Sequence, residues 1–98
     1  MRALISGYDL MQCIDKHKEG LLLHYVYYAI ASDRTSELHA SERFIDKQSQ
    51  ASLYDLIMST DLSQPVWADL TFGLRDGYIG AEIEDIVFDG VGAATFVG

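Results

Sequence analysis

Residues 66–75, VWADLTFGLR, carry the clearest structural pattern in the chain. Their apolar side chains at every second position alternate with mostly polar ones, and this period of two is typical of a strand with one buried face. Asp76 and Gly77 follow directly and predict a type I′ hairpin turn. The segment from Tyr78 to Phe88 is therefore predicted to be the second strand of a β-hairpin.

A two-residue turn fixes which residues of the two strands lie opposite each other. The resulting pairs are Leu74 with Ile79, Phe72 with Ala81, and Leu70 with Ile83. We expect Leu70, Phe72, Leu74, Ile79 and Ile83 to be buried and Thr71, Glu82 and Glu84 to be exposed. Beyond Glu84 the alternation changes phase, which predicts a β-bulge near Glu84 and Asp85.

Working outward toward the N-terminus, the sequence predicts another hairpin and a helix. Residues 21–31 are apolar and rich in tyrosine, which favours a strand buried on both faces, although a helix is also compatible with the pattern. Residues 37–46 alternate and pair with that strand as a hairpin. Residues 49–59 carry apolar side chains on one helical face, which predicts a helix that ends before Pro65.

The two ends of the chain complete the predicted order. A strand is expected at Arg2–Ile5, followed by a helix over residues 8–19 that ends at Gly20. Residues 91–97 could add one final strand. The order β-α-β-β-α-β-β-β predicts a single α+β domain over residues 1–98, with two helices on one face of a mainly antiparallel sheet.

Charge and cysteine content narrow the function classes. The 98-residue chain has a net charge of −8, which rules out a nucleic-acid binder held by phosphate neutralisation. The single cysteine, Cys13, cannot form an internal disulfide, so a cytoplasmic location is the simplest interpretation. The longest apolar run, residues 21–31, is about half the length that a membrane span needs, so no membrane partner is expected.

The cysteine and histidine residues are the candidates for a metal site or a nucleophile. Cys13 and His17 are four residues apart, a spacing that could supply half of a zinc site or a thiolate with its base. Further ligands would have to come from His24 and His39 in distant segments. We therefore interpret Cys13 as a core residue and expect no cofactor. A small dimeric ligand-binding or catalytic domain that uses Cys13 or a histidine is the alternative function.

The acidic residues are the most unusual feature of the sequence. Residues 1–49 hold seven acidic and six basic side chains, whereas residues 50–98 hold eight acidic side chains and one basic one, Arg75. The hairpin register places Asp69 opposite Glu84, where like charges repel. Such a surface suits solubility, a basic protein partner, or a calcium ion. The predicted partner-binding residues are Asp69, Tyr78, Glu82, Glu84, Asp85 and Asp89.

The leading hypothesis is a small, acidic, non-enzymatic inhibitor that blocks a basic, nucleic-acid-handling protein, such as a nuclease. Carboxylates along a twisted hairpin can take the place of phosphates and accelerate association with a basic groove. Anti-CRISPR and antirestriction proteins of phages and toxin-neutralising immunity proteins share this profile of size and charge. A homodimer is also compatible with the tyrosine-rich strand, since at least one of its three tyrosines should face outward or into a partner.

Overall fold

The chain forms a five-stranded antiparallel sheet with one helix in the residues that the computed structural model describes, which are 1–12, 18–30, 36–75 and 78–90. The strand order across the sheet is β3-β2-β1-β4-β5. At nine residues, the helix of these ranges is too short to cross a membrane. The elements are β1 (Arg2–Gln12), β2 (Glu19–Ile30), β3 (Ser36–Asp46), α1 (Ala51–Ser59), β4 (Val66–Arg75) and β5 (Tyr78–Phe88).

The predicted two-helix α+β fold is wrong, because the described residues of the expected helix over 8–19 lie mainly in strands, with residues 8–12 in β1 and Glu19 in β2. β1 continues to Gln12, and β2 begins at Glu19, which lies opposite it. An extra residue, Ser6, interrupts the register of β1 with β2, and Gly7 beside it has a φ of 143°. Helix propensity is a weak preference, and here backbone pairing with the apolar strand β2 overrides it. Residues 13–17, including Cys13 and His17, lie outside the described residues.

The predicted strand at Arg2–Ile5 is confirmed but continues to Gln12, and the other predicted elements within the described residues have bounds that differ from the observed ones by about two residues at most. The strands expected at 21–31, 37–46 and 66–75 correspond to β2, β3 and β4, and the helix expected at 49–59 corresponds to α1. β5 has the bounds expected for the second strand of the hairpin. The turn at Asp76 and Gly77 and the possible strand at 91–97 lie outside the described residues.

The core lies on one face of the sheet, called here the inner face, and α1 packs against it. Every strand contributes side chains to this face, and α1 adds Leu53 and Ile57. The opposite, outer face is less covered: on β2, Val26 is half-buried and Tyr28 is exposed, so the expected burial of this strand on both faces is wrong. The buried residues are Ala3, Ile5, Leu21, Leu23, Tyr25, Ile45, Leu53, Ile57, Ala68, Leu70, Ile83, Ile86 and Phe88.

The β4–β5 register differs from the predicted one at two points. Leu74 lies opposite Ile79 as expected, but Gly73 lies opposite Glu82, a shift of two residues. A second shift leaves Glu84 as an extra residue, which confirms the expected β-bulge. The predicted pairs Phe72 with Ala81 and Leu70 with Ile83 are therefore wrong. The observed pairs are Phe72 with Ile83 and Leu70 with Ile86.

These two shifts have different effects on burial. A shift of two residues keeps each side chain on its face, whereas the single extra residue at Glu84 reverses the phase. Ile83 and Ile86 can therefore both enter the core, as can Phe88. Thr71 and Glu84 are exposed as expected, while Phe72 and Glu82 are half-buried. The side chain of Ile79 lies outside the described residues.

The end of β4 extends past the core. Leu74 is 66% exposed, so its predicted burial is wrong. The physical reason is that β1 pairs with β4 only as far as Asp69, with Met1 bonding Leu70 beyond it. No residue of β1 therefore lies beside Leu74, and the inner face narrows there.

The sheet curls around its inner face, so that its two edge strands approach each other. Residues of β3 and β5 come within 8 Å of one another between Cα atoms although three strands separate them in the sheet. Arg43 of β3 lies over the ring of Phe72 on β4, 5.8 Å from its centre. Tyr25 of β2 lies 6.5 Å from the same ring. The helix α1 follows β3 directly and lies where the two edges meet.

Alanine substitutions at two neighbouring residues of α1, Ile57 and Met58, test which face of the helix packs against the core. Ile57 is fully buried, whereas Met58 is 40% exposed. We expect Ile57→Ala to lower the free energy of unfolding by about 2 to 5 kcal/mol, because it leaves a cavity in the core. Met58→Ala should change it by about 0.5 kcal/mol at most. Equilibrium urea unfolding measures both, and equal losses would show that α1 packs through a different face.

Candidate functional site

An acidic groove of about 570 Å³ lies between the N-terminal turn of α1 and β5. Three of the predicted partner-binding residues, Glu82, Glu84 and Asp85, form its β5 side. The α1 side combines polar side chains with the apolar ones of Leu53 and Leu56. The groove residues are Gln48, Ser49, Gln50, Ala51, Ser52, Leu53, Leu56, Glu82, Glu84 and Asp85.

The β-bulge and a glycine place these carboxylates. Because Glu84 is the extra residue of the bulge, the chain presents Glu84 and Asp85 in succession without losing the core positions on either side. Gly73 on β4 faces this region, and a Cβ added to it would lie 3.3 Å from Oε2 of Glu84 and 3.4 Å from its Cβ. The absence of a side chain at Gly73 therefore leaves the room that Glu84 occupies.

Gln50 holds the two sides of the groove together. It occupies the N-cap position of α1, and its Nε2 donates a hydrogen bond of 2.6 Å to the carbonyl oxygen of Ile83 in β5. Its Oε1 accepts a bond of 3.3 Å from the backbone N–H of Asp46. The side chain thus ties the start of the helix to the edge strand between Glu82 and Glu84. Sequence patterns could not identify this role, because nothing local connects residues 50 and 83.

The carboxylates at the bulge lack counter-ions within the described part of the chain. Glu84 and Asp85 are exposed, and among the described residues neither forms an ion pair. Carboxylates elsewhere on the sheet differ: Glu19, for example, lies 3.7 Å from Nζ of Lys47. The groove is therefore a place where negative charge is left for a ligand to neutralise.

Asp69 and Asp89 belong to a different cluster, which Arg2 organises. The guanidinium of Arg2 donates hydrogen bonds of 2.7 and 2.6 Å to the two carboxylate oxygens of Asp89 and lies 3.5 Å from Asp69. These bonds raise the pKa of Arg2 and hold the pKa of Asp89 below its ordinary value. No local sequence pattern predicted this cluster, since the partners of Arg2 follow only from the pairing of β1 with β4 and of β4 with β5.

The predicted repulsion between Asp69 and Glu84 is wrong. Asp69 lies opposite Val87, because β5 contains extra residues relative to β4 at both register shifts. The predicted site therefore divides into the groove carboxylates and the Arg2 cluster. Tyr78 begins β5 opposite Arg75, and its side chain lies outside the described residues.

His24 lies between two carboxylates on the outer face, beside a second groove of about 650 Å³ that Ser6 and Ser41 help to line. Its Nε2 is 2.7 Å from Asp9, and its Nδ1 is 3.4 Å from Glu42. Both ring nitrogens thus face carboxylates, and in the described ranges neither serine hydroxyl bonds to the ring. A general base needs a free nitrogen within reach of the proton it removes, so this arrangement gives little support to catalysis by His24.

The remaining residues proposed for catalysis or metal binding, His39 and Cys13, form no such site among the described residues. His39 lies 3.3 Å from Glu37 and stacks on Tyr27, while Cys13 is outside the described residues. Among the described residues, no group of three or more His, Cys, Asp or Glu side chains could hold a metal ion. The calcium interpretation of the acidic residues thus gains no support from the groove.

The Gln50 contact can be tested with two substitutions. Gln50→Ala removes the hydrogen bond to the carbonyl of Ile83 and should lower the free energy of unfolding by about 1 to 2 kcal/mol. Gln50→Glu has nearly the same shape but places a carboxylate oxygen against that carbonyl oxygen, so it should cost at least as much. Urea unfolding at neutral pH measures both. A glutamate variant as stable as the original protein would contradict the contact.

The Arg2 cluster predicts a pH dependence of stability. The pKa of Asp89 is lower in the folded protein than in the unfolded chain, where it is about 3.9. Its contribution to stability is therefore present above the unfolded value and lost as pH falls through the folded one. We expect the stability difference between the original protein and Asp89→Asn to be constant above about pH 5 and to shrink below about pH 4.

Urea unfolding across that pH range measures this difference. Asp85→Asn is the matched control, because Asp85 is exposed and forms no ion pair among the described residues. The control should show a much flatter difference. Identical pH profiles for the two variants would show that Arg2 does not hold Asp89 in solution.

Comparison of the chain with protein-family models, with curated proteins and with solved structures finds no match. The functional argument therefore rests on the residues of the groove and their geometry.

Proposed function

We propose that this protein is a small non-enzymatic inhibitor that binds a basic, nucleic-acid-handling protein through the acidic groove. The observation that carries the proposal is the position of Glu84 and Asp85, which are exposed at a concave surface and have no ion-pair partner among the described residues. Like charges gathered without counter-ions cost stability in the free protein. A cationic partner would relieve this repulsion, and the relief would contribute favourably to the free energy of binding.

The chemistry of the groove fits long basic side chains. Lysine and arginine combine an apolar stem with a charged head, and they bury the stem where they can. In the groove, the half-buried Leu56 offers apolar surface on the side facing Glu84 and Asp85, and the buried Leu53 lies beside it. An arginine could form paired, charge-assisted hydrogen bonds with one carboxylate while its stem packs on Leu56. The polar side chain of Ser52 adds a further acceptor at the rim.

The charge distribution supports a partner that normally holds nucleic acid. The half of the chain from residue 50 onward carries a net charge of −7, and it contributes both α1 and β5 to the groove. A field of this sign accelerates encounter with a positively charged surface and makes the association sensitive to salt. Within this proposal the protein acts in the cytoplasm as an anti-defence inhibitor, of anti-CRISPR or antirestriction type, or as an immunity protein against a toxin.

The test is the double variant Glu84→Gln with Asp85→Asn, which removes two charges with little change of shape. The probes are a restriction endonuclease, an RNA-guided nuclease and a basic toxin nuclease, each assayed for DNA cleavage with and without the protein. For a nuclease that the original protein inhibits, the double variant should bind about 10- to 100-fold more weakly. This loss should shrink between about 50 and about 300 mM salt, because screening weakens contacts between charges.

The matched control is Glu37→Gln with Glu42→Gln. These two β3 side chains are each 56% exposed, and their replacement changes the net charge from −8 to −6, as the test variant does. Long-range attraction is therefore equal in the two variants, and any difference in affinity reports contacts in the groove. Equal inhibition by test and control variants would exclude the groove as the binding site.

A further inference from the structure

The sequence contains two Asp–Gly pairs, and the second of them, Asp89–Gly90, lies at the contact with Arg2. Asp–Gly is the pair in which a side-chain carboxyl reacts most readily with the main chain, because glycine has no side chain to hinder the approach. Asp89 and Gly90 follow β5 directly, and both are exposed to water. Neither lines the acidic groove, so this feature is independent of the proposed inhibition. The first pair, Asp76–Gly77, lies outside the described residues.

The reaction of such a pair is a dehydration followed by a hydrolysis. The backbone nitrogen of Gly90 attacks the side-chain carboxyl carbon of Asp89, a C–N bond forms, and the amide proton leaves with the carboxyl hydroxyl as water. Water then adds to either carbonyl of the five-membered succinimide ring and breaks one of its two C–N bonds. One product is aspartate again, and the other is isoaspartate, in which the main chain runs through the former side chain. No reagent other than water is required.

Arg2 opposes the first step in two ways. Its guanidinium donates hydrogen bonds of 2.7 and 2.6 Å to the two carboxylate oxygens of Asp89, and the side chain must break this paired contact before it can reach the nitrogen of Gly90. The same bonds hold the pKa of Asp89 below its ordinary value. The neutral carboxyl, which loses water more readily than the carboxylate, is therefore scarcer at neutral pH.

The turn at the end of β5 requires glycine, so the reactive pair is part of the fold. Gly90 has a φ of 83°, a conformation that residues with a side chain rarely adopt. The backbone N–H of Asp89 donates a bond of 2.8 Å to the carbonyl of Trp67 in β4. Arg2 in turn pairs with Asp69 and lies 5.5 Å from the centre of the Trp67 ring. The restraint on Asp89 thus depends on β1, β4 and β5 together, and it exists only in the folded chain.

We infer that Asp89–Gly90 is a site of spontaneous isoaspartate formation and that Arg2 restrains this reaction in the folded protein. The product adds one atom to the main chain at the end of β5 and moves the carboxylate relative to Arg2. The modification therefore removes the contact that joins the start of β1 to the end of β5. Arg2 has a protective role here as well as a structural one.

Prolonged incubation at physiological temperature and neutral pH, followed by digestion and mass-spectrometric peptide mapping, measures isoaspartate at Asp89. Arg2→Gln removes the charge and the paired donors. It should raise the rate of isoaspartate formation at Asp89 by about fivefold, the scale expected for an exposed but well-aligned ion pair. Equal rates in Arg2→Gln and the original protein, or no isoaspartate at Asp89 in the variant, would overturn the inference.

Lys47→Gln is the matched control for charge. The side chain of Lys47 is 49% exposed, close to the 50% of Arg2, and its acidic partner is Glu19 at 3.7 Å. Both substitutions remove one positive charge, but only Arg2→Gln removes the contact with Asp89. Lys47→Gln should therefore leave the rate at Asp89 unchanged. An equal rise in the two variants would mean that net charge, and not the Arg2 contact, sets the rate.

Ile57→Ala separates the local contact from overall stability. It weakens the core but leaves both Arg2 and Asp89 in place. With circular dichroism showing that both variants are folded, Ile57→Ala should form isoaspartate at Asp89 more slowly than Arg2→Gln does. Equal rates in these two variants would show that general unfolding controls the reaction, and they would overturn the inference.

A measurement on the original protein does not depend on whether Arg2→Gln folds. Raising sodium chloride from about 0.1 to about 1 M shortens the screening length from about 10 to about 3 Å and weakens exposed ion pairs. The rate at Asp89 should then rise by about twofold, because Arg2 holds the carboxylate less often. A rate at Asp89 that does not change with salt would count against protection by Arg2.

Discussion

Four residues at the start of the chain, Arg2–Ile5, hold the two halves of the sheet together. β1 pairs with β2 along its whole length, but it pairs with β4 only over these four residues. Ala3 and Ile5 are fully buried between the hairpins, and the N-terminal amine bonds the carbonyl of Leu70 at 2.6 Å. Arg2 adds its bonds to Asp69 and Asp89 on the outer face. The core and the groove both require this short junction, because each contains residues from both halves.

The β-bulge at Glu84 links the interior of the protein to its surface. One extra residue allows Ile83 and Ile86 to enter the core on either side of it, and the same residue brings Glu84 and Asp85 to the groove in succession. Bulges are common near functional sites because they redirect side chains without ending the strand. In this protein the hydrophobic effect supplies the free energy that keeps the like-charged carboxylates together, since the bulge cannot be removed without exposing the apolar residues beside it.

Some surface carboxylates contact a basic side chain, and others do not. On the outer face, Arg2 and His24 each contact two carboxylates, and apolar side chains lie between them. At the groove, Glu84 and Asp85 have no ion-pair partner in the described ranges.

Local patterns were sufficient for the elements whose partners are close in sequence. The alternation of residues 66–75 predicted β4, the apolar face of residues 49–59 predicted α1, and the phase change near Glu84 predicted the bulge, because period and burial are linked within a single strand or helix. They also predicted that Glu82, Glu84 and Asp85 lie close together, and all three line the groove. Composition alone determined the strong negative charge and its concentration in the second half of the chain.

Only the tertiary structure decided the features that depend on distant partners. Residues 8–12 belong to a predicted helix, yet they form a strand because their backbone pairs with residues 19–23 of β2. Arg2 and Gln50 gave no signal in the sequence, since Asp89 and Ile83 are 87 and 33 residues away from them. Leu74 is exposed because the pairing of β1 with β4 does not extend to it. The alternation of residues in β4 carries no information about the position of β1. Which strands pair depends on segments that are far apart in the chain, whereas a local pattern describes only one segment at a time.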